Sequence, residues 1–159
     1  MSPSSPTARI ALGLDFGLRR IGVAIADTLS RSPRPLSAVA HSDRGPDWSA
    51  LDRMMSLHAP HVLVLGTPYN EDGTPGRLQG ATDRFAEELR ARYGLPVERV
   101  DERHSSREAG EQLIEQRRSG SRRRRIQSAD IDNLAAAIIL QRWLAGEGEK
   151  GLNDQPAAR

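Results

Sequence analysis

Apolar residues fall along this chain in two kinds of pattern, short continuous runs and stripes at helical spacing. Ile10–Leu14 is an apolar run that delivers Asp15 at its end; Gly17 and Gly22 follow, then a second run, Val23–Ala26. Two strands joined by a tight turn account for this pattern. Leu36–Ala40, after Pro33 and Pro35, predicts a third strand. Asp47–His58 carries Trp48, Leu51, Met54, Met55 and Leu57 at helical spacing, closed by Pro60. His61–Gly66 reads as a strand covered on both faces, and residues 67–76 as a loop by every turn signal. Leu78–Tyr93 predicts an amphipathic helix with Phe85, Leu89 and Tyr93 on one stripe, ended by Gly94. Pro96–Val100 predicts another strand. A helix follows from Ser105 to about Glu115, with Ser105 and Glu108 spaced as a capping box. Ile131–Leu144, rich in Ala, Ile and Leu, predicts a final, mostly buried helix.

Three strands in close succession imply an antiparallel meander, and strands alternating with helices imply parallel crossovers. The expected fold is α/β: a mixed five-stranded sheet, three antiparallel strands and then two parallel ones, flanked by helices. A chain of 159 residues suits one domain with a real core. No internal repeat or domain boundary interrupts it. Residues 1–9 are Ser/Pro-rich and read as a disordered tail, 10–145 as the domain, and 146–159 as a loose polar tail.

Composition narrows the chemistry. Cysteine is absent, which excludes disulfides, thiolate metal sites and Cys nucleophiles. Any metal must be held by carboxylates, His or water, which favours Mg²⁺ or Mn²⁺. No long apolar stretch or signal-peptide pattern appears, so a soluble, cytoplasmic protein with no membrane partner is expected. Net charge is only +2, yet 22 of the 23 basic residues are Arg, the better side chain for bidentate contact with phosphate. Six of them fall in nine residues, Arg117–Arg125. Such a block repels itself without an anionic partner, and nucleic acid is the natural one. A solvated loop with no ligand is the alternative.

Three acids stand where a sheet fold can converge them: Asp15 after the first run, Glu102 after the last strand, and Asp132 near the start of the last helix. Carboxylates gathered in one place repel, and without a cation at least one takes up a proton. With divalent cations the cluster becomes a phosphoryl-transfer site. Asp15 also reads as a turn residue capping backbone amides, and Asp101 and Glu102 as solvating a strand end. Asp130, two residues before Asp132, reads as a further ligand or as a charge favoured by the helix N-terminus. His41, His58, His61 and His104 have no metal-ligand spacing, and Ser105 and Ser106 have no visible base partner.

Four segments in register resemble one known family: Leu12–Asp27; Val64–Pro68 with Asn70–Thr74; Asp101-Glu102-Arg103 with Ser106 and Glu108-Ala109; and Ile131-Asp132 with Ala135-Ala136 and Ile139-Leu140. They look like the YqgF/RuvX family, whose members are described as Holliday junction resolvases and as pre-16S rRNA nucleases. The resemblance runs from about Ile10 to Leu144. It implies an RNase H-like fold related to the RuvC resolvases, with the acidic site on Asp15, Glu102 and Asp132. It also implies that Arg20 and Arg103 touch the phosphate backbone and that Thr67 and Asn70 line the site. Leu18 stands where the family often has Thr, and His104 where an apolar residue is common.

The leading expectation is therefore a divalent-metal-dependent nuclease on structured nucleic acid, with Asp15, Glu102 and Asp132 as ligands. Arg20, Arg103 and the block that includes Arg122, Arg123, Arg124 and Arg125 would hold phosphates. Its substrate is either a four-way DNA junction, whose two symmetric cuts favour a homodimer, or a precursor of 16S rRNA. A nucleic-acid-binding factor without activity, acting in transcription or ribosome assembly, is the alternative. A nucleotide-binding ATPase is a third reading, because Asp15-x-Gly17 also resembles the phosphate loop of actin-like folds; those duplicate the domain, and this chain has no room for two copies.

Overall fold

The computed structural model describes residues 9–70, 72–103, 105–120 and 125–146, the side chains at 105–107 aside. Its elements are β1 (Ile10–Phe16), β2 (Arg20–Asp27), β3 (Arg34–Pro35), β4 (Val39–Ser42), β5 (Gly45–Pro46), α1 (Trp48–His58), β6 (Val62–Thr67), α2 (Gln79–Tyr93), β7 (Val97–Asp101), α3 (Ser105–Arg118) and α4 (Ser128–Leu144). The sheet order is β5-β4-β2-β1-β6-β7, with β3 also paired to β2. β1, β2 and β4 are antiparallel neighbours, and β6 and β7 run parallel to β1. The expected meander and parallel pair are thus both present.

The third strand differs from its expectation. Leu36–Ala40 does not pair as one unit; the chain pairs with β2 at Arg34–Pro35 and again at Val39–Ser42. Pro33 and Pro35 lack the N–H a continuous ladder needs, so the pairing is broken into two short pieces. With β5 this makes seven strands where five were expected. The last helix begins at Ser128, three residues before its apolar stripe, because Gln127 and Asp130 cap it reciprocally. The terminal tails fall outside the described residues apart from Arg9, which exchanges hydrogen bonds with Thr28, and Gly146. His104 and the side chain of Ser105, with the capping box expected there, also lie outside them.

Strand alternation sorts the core into two layers. Leu12, Leu14, Phe16, Leu63 and Leu65 face α1 and α2, where Leu51, Phe85 and Leu89 are buried. Ala11, Ala24, Val62, Val64 and Val100 face α4 and pack on Ala136, Ile139 and Leu140. α3 lies outside α4, joined through Ala109, Ala135 and Ile138. The α4 face of the sheet is lined with small residues for a steric reason. A Cβ on Gly13 would meet Leu140 Cγ at 2.6 Å, and one on Gly22 would meet the Asp132 carbonyl oxygen at 2.0 Å. Close approach of α4 therefore depends on these glycines, and it brings the start of α4 down onto β2. No helix among the described residues is long and apolar enough to cross a membrane.

Candidate active site

Asp15 lies on the α4 face near the end of β1, opposite Gly22 of β2. The register with β6, which pairs Leu14 with Leu65, sets Gly66 beside it. Neither neighbour has a side chain, and two other acids occupy the space. Glu102 follows β7 directly, and its Oε2 lies 2.4 Å from where a Cβ of Gly66 would stand. Its backbone N–H donates to the Thr67 carbonyl at 3.1 Å. Asp132, in the second turn of α4, packs its backbone over Gly22.

The carboxyl groups of Asp15 and Glu102 lie within hydrogen-bonding reach of one another, a contact that a shared proton satisfies. Burial raises both above the ordinary carboxylate range, Glu102 well above it. The nearby charge of Asp132 adds to the rise at Asp15, and the charge of Asp15 to that at Glu102. Asp132 itself accepts from Arg20 Nε at 2.9 Å.

Among the described residues, no three His, Asp or Glu side chains form a ready-made metal-holding group. Two carboxylates in contact, short of positive charge, and a third beside them on an arginine are nonetheless an all-oxygen donor set suited to a hard divalent cation. Asp130 belongs elsewhere: its carboxylate accepts from the Gln127 N–H at 2.8 Å as the helix cap.

The basic and loop residues divide. Arg20 is in the site through Asp132. Arg103 folds onto Asp101, with Nε to Oδ2 at 2.7 Å, and lies over the Tyr69 ring at 5.8 Å. Thr67 is buried, and strand alternation puts its side chain on the other face of the sheet, with Leu65. Asn70 spends its amide within its own loop, on Thr74 Oγ1 and the Pro75 carbonyl. Arg125 is exposed; Arg122, Arg123 and Arg124 lie outside the described residues.

Two arginines escaped the reading of the sequence. Arg142, in the last turn of α4, donates Nη1 to the carbonyls of Asp101 at 2.9 Å and Arg103 at 3.0 Å, the residues on either side of Glu102. Its Nη2 pairs with Glu108. Arg99, buried in β7, donates Nη1 to Asp83 at 2.9 Å, and its charge works against the rise at Glu102. An arginine between the apolar residues Val97 and Val100 was the available signal for the second; nothing local marks the first.

Residues 9–146 match the model of a family described as "RuvX: Holliday junction resolvase". The chain belongs to the RuvX family. Relatives of this RuvX chain named "Putative pre-16S rRNA nuclease" include one from Azotobacter vinelandii, 40% identical over 86% of this chain and 94% of its own length. Another, from Nitrosococcus oceani, is 43% identical over 90% of each chain. Among solved structures, Thermus thermophilus RuvC in complex with a Holliday junction substrate superposes with a TM-score of 0.51 at 15% identity, covering 89% of the RuvX chain and 98% of its own. That likeness establishes the RNase H-like fold of the RuvC resolvases.

Proposed function

We propose that this chain cleaves precursor 16S rRNA at Asp15, Glu102 and Asp132. The chain is a nuclease, a hydrolase of phosphodiester bonds in nucleic acid. The observation that carries the site is the buried contact between the Asp15 and Glu102 carboxyls, which is costly unless a proton or a cation satisfies it. Those two residues and Asp132 would hold a divalent cation, Mg²⁺ or Mn²⁺, in the nuclease domain of residues 10–145. When bound, such an ion neutralises the acids and polarises the scissile phosphate. Arg20, positioned by Asp132, offers its remaining guanidinium nitrogens to a phosphate oxygen. The proton shared by Asp15 and Glu102 would pass to solvent where a cation took its place between them. The exposed Arg117, Arg118 and Arg125 supply salt-dependent attraction to the strand, and the cytoplasm is the compartment for this work.

Resolution of a four-way DNA junction is a second reading, favoured by the family's description and requiring a homodimer. A paired assay tests both: labelled precursor 16S rRNA and a labelled four-way junction, each with Mg²⁺ or Mn²⁺, against wild type and Asp15→Asn. RNA trimming by wild type alone is expected. Symmetric junction cutting alone would move the assignment to resolution, with light scattering then expected to show a dimer. Full-rate cleavage by Asp15→Asn would overturn the site. Tight binding without cleavage of either substrate would leave a binding factor.

A further inference from the structure

A cavity of about 710 Å³ opens between the segment that carries β3 and β4 and helices α3 and α4. Arg20 joins it to the acids. This residue lines the cavity, its Nε is spent on Asp132, and its two Nη atoms have no partner among the described residues. The other walls are apolar and polar, and they include Asp130, whose carboxylate is engaged in the α4 cap, and Asn133, whose side chain holds the Val23 N–H. Pro35, Ala38, Leu113 and Leu134 are apolar, and Gln116 offers a side-chain amide with no partner among the described residues. Two lining residues flank the arginine-rich segment in sequence: Gln116 precedes Arg117 and Arg118, and Gln127 follows Arg125 by two positions. All three of these arginines are exposed.

Apolar walls, an amide that both donates and accepts, a guanidinium at the catalytic side and exposed arginines close in sequence to the lining residues Gln116 and Gln127 describe a site for a nucleotide rather than for an apolar ligand. We propose that this cavity receives one unpaired base of the nucleic-acid strand, beside the phosphate held by Arg20; this rests on the nuclease reading above. A base already free of its stack enters at the least cost. The cavity therefore selects strands that carry an unpaired nucleotide at one fixed distance from the scissile bond. Gln116 reads the edge of that base, and the apolar walls cover its faces.

The test uses the full chain in EDTA and an RNA hairpin with a single-stranded extension, with 2-aminopurine placed at one position at a time. A several-fold rise in fluorescence is expected at one position and not at its neighbours. Ala38→Leu and Ala129→Leu each fill the cavity from a different wall, so a folding failure in one, read by its melting temperature, leaves the other. In each, the rise is lost and affinity for that strand falls about tenfold, the loss expected when the burial of one base is forfeited. The same RNA made abasic at that position binds wild type and variants alike. A rise at every position, or one that survives both substitutions, overturns the proposal while leaving the nuclease reading in place. Failure to bind any RNA overturns this proposal together with the assignment to precursor rRNA.

Discussion

Asp15 and Glu102 meet carboxyl to carboxyl, within hydrogen-bonding reach, a contact that holds only while one of them keeps a proton. Burial first, and then the charge each feels from neighbouring acids, lifts both above the ordinary carboxylate range. The folded protein therefore holds protons that the unfolded chain has released, and its stability falls as pH rises from about 4 toward the raised values. The melting temperature of metal-free protein should fall as pH rises above the ordinary carboxylate range. Glu102→Gln should flatten that slope. Affinity for Mg²⁺, followed by calorimetry, should rise with pH over the same window, with release of a proton. A melting temperature that climbs with pH in EDTA would contradict the shared proton.

Arg142 acts on Glu102 through the backbone, since its guanidinium holds the carbonyls immediately before and after that residue. Arg142→Ala should lower kcat more than it changes KM, because the acid loses its fixed position while the strand contacts stay. Stability should fall by roughly 2 kcal/mol for the half-buried charged hydrogen bonds that are lost. Arg142→Lys, with one ammonium in place of a fork, should recover part of the activity. An identical loss of kcat in the lysine and alanine variants would show that the fork geometry has no role.

Gly22→Ala places a methyl group 2.0 Å from the Asp132 carbonyl oxygen, a backbone atom that cannot turn aside. α4 must move away from β2, at roughly 3 kcal/mol. Asp132 moves with it, so the variant should lose cleavage even at temperatures where circular dichroism shows it folded. Thermal melts paired with cleavage rates decide this.

Asp52, on α1, is held at a pKa of about 2 by hydrogen bonds from Arg92 and then from Tyr93. Its contribution to stability is complete above the ordinary Asp value and fades as pH falls toward about 2. Carboxyl NMR should show this group titrating below every ordinary Asp in the chain. Arg92→Ala should move it back toward the normal range, the Tyr93 hydrogen bond remaining, with little loss of stability, as expected for an exposed pair.

The parts of this molecule that were legible in its sequence are those written as local pattern. The apolar runs of β1, β2 and β6 and the stripe of α2 announce themselves, as do Asp15 and Glu102 at the ends of strands. The broken pairing around residues 34–42 was not legible as such. Only Val39 is buried in β4, so too little apolar signal remained to set its boundary after two prolines. The sequence set Asp132 among the site acids and left Asp130 as a further ligand or a helix-end charge; the helix register sends Asp130 to the helix's own N-terminus and Asp132 to Arg20. Arg142 and the cavity beside Arg20 were out of reach. Each is made by segments far apart in the chain, and no spacing along the sequence encodes their meeting.

Helix α4 bears Asp132 near its beginning and Arg142 near its end, and both reach the region around Glu102 and Asp15. The nine residues between them are therefore a ruler as well as a buried wall. Substitution within that span is open to chance so long as size is kept. A change of length is not, since one inserted or deleted residue would swing Arg142 by about 100° relative to Asp132. Over evolutionary time this helix can alter its spelling, but it has little freedom to alter its count.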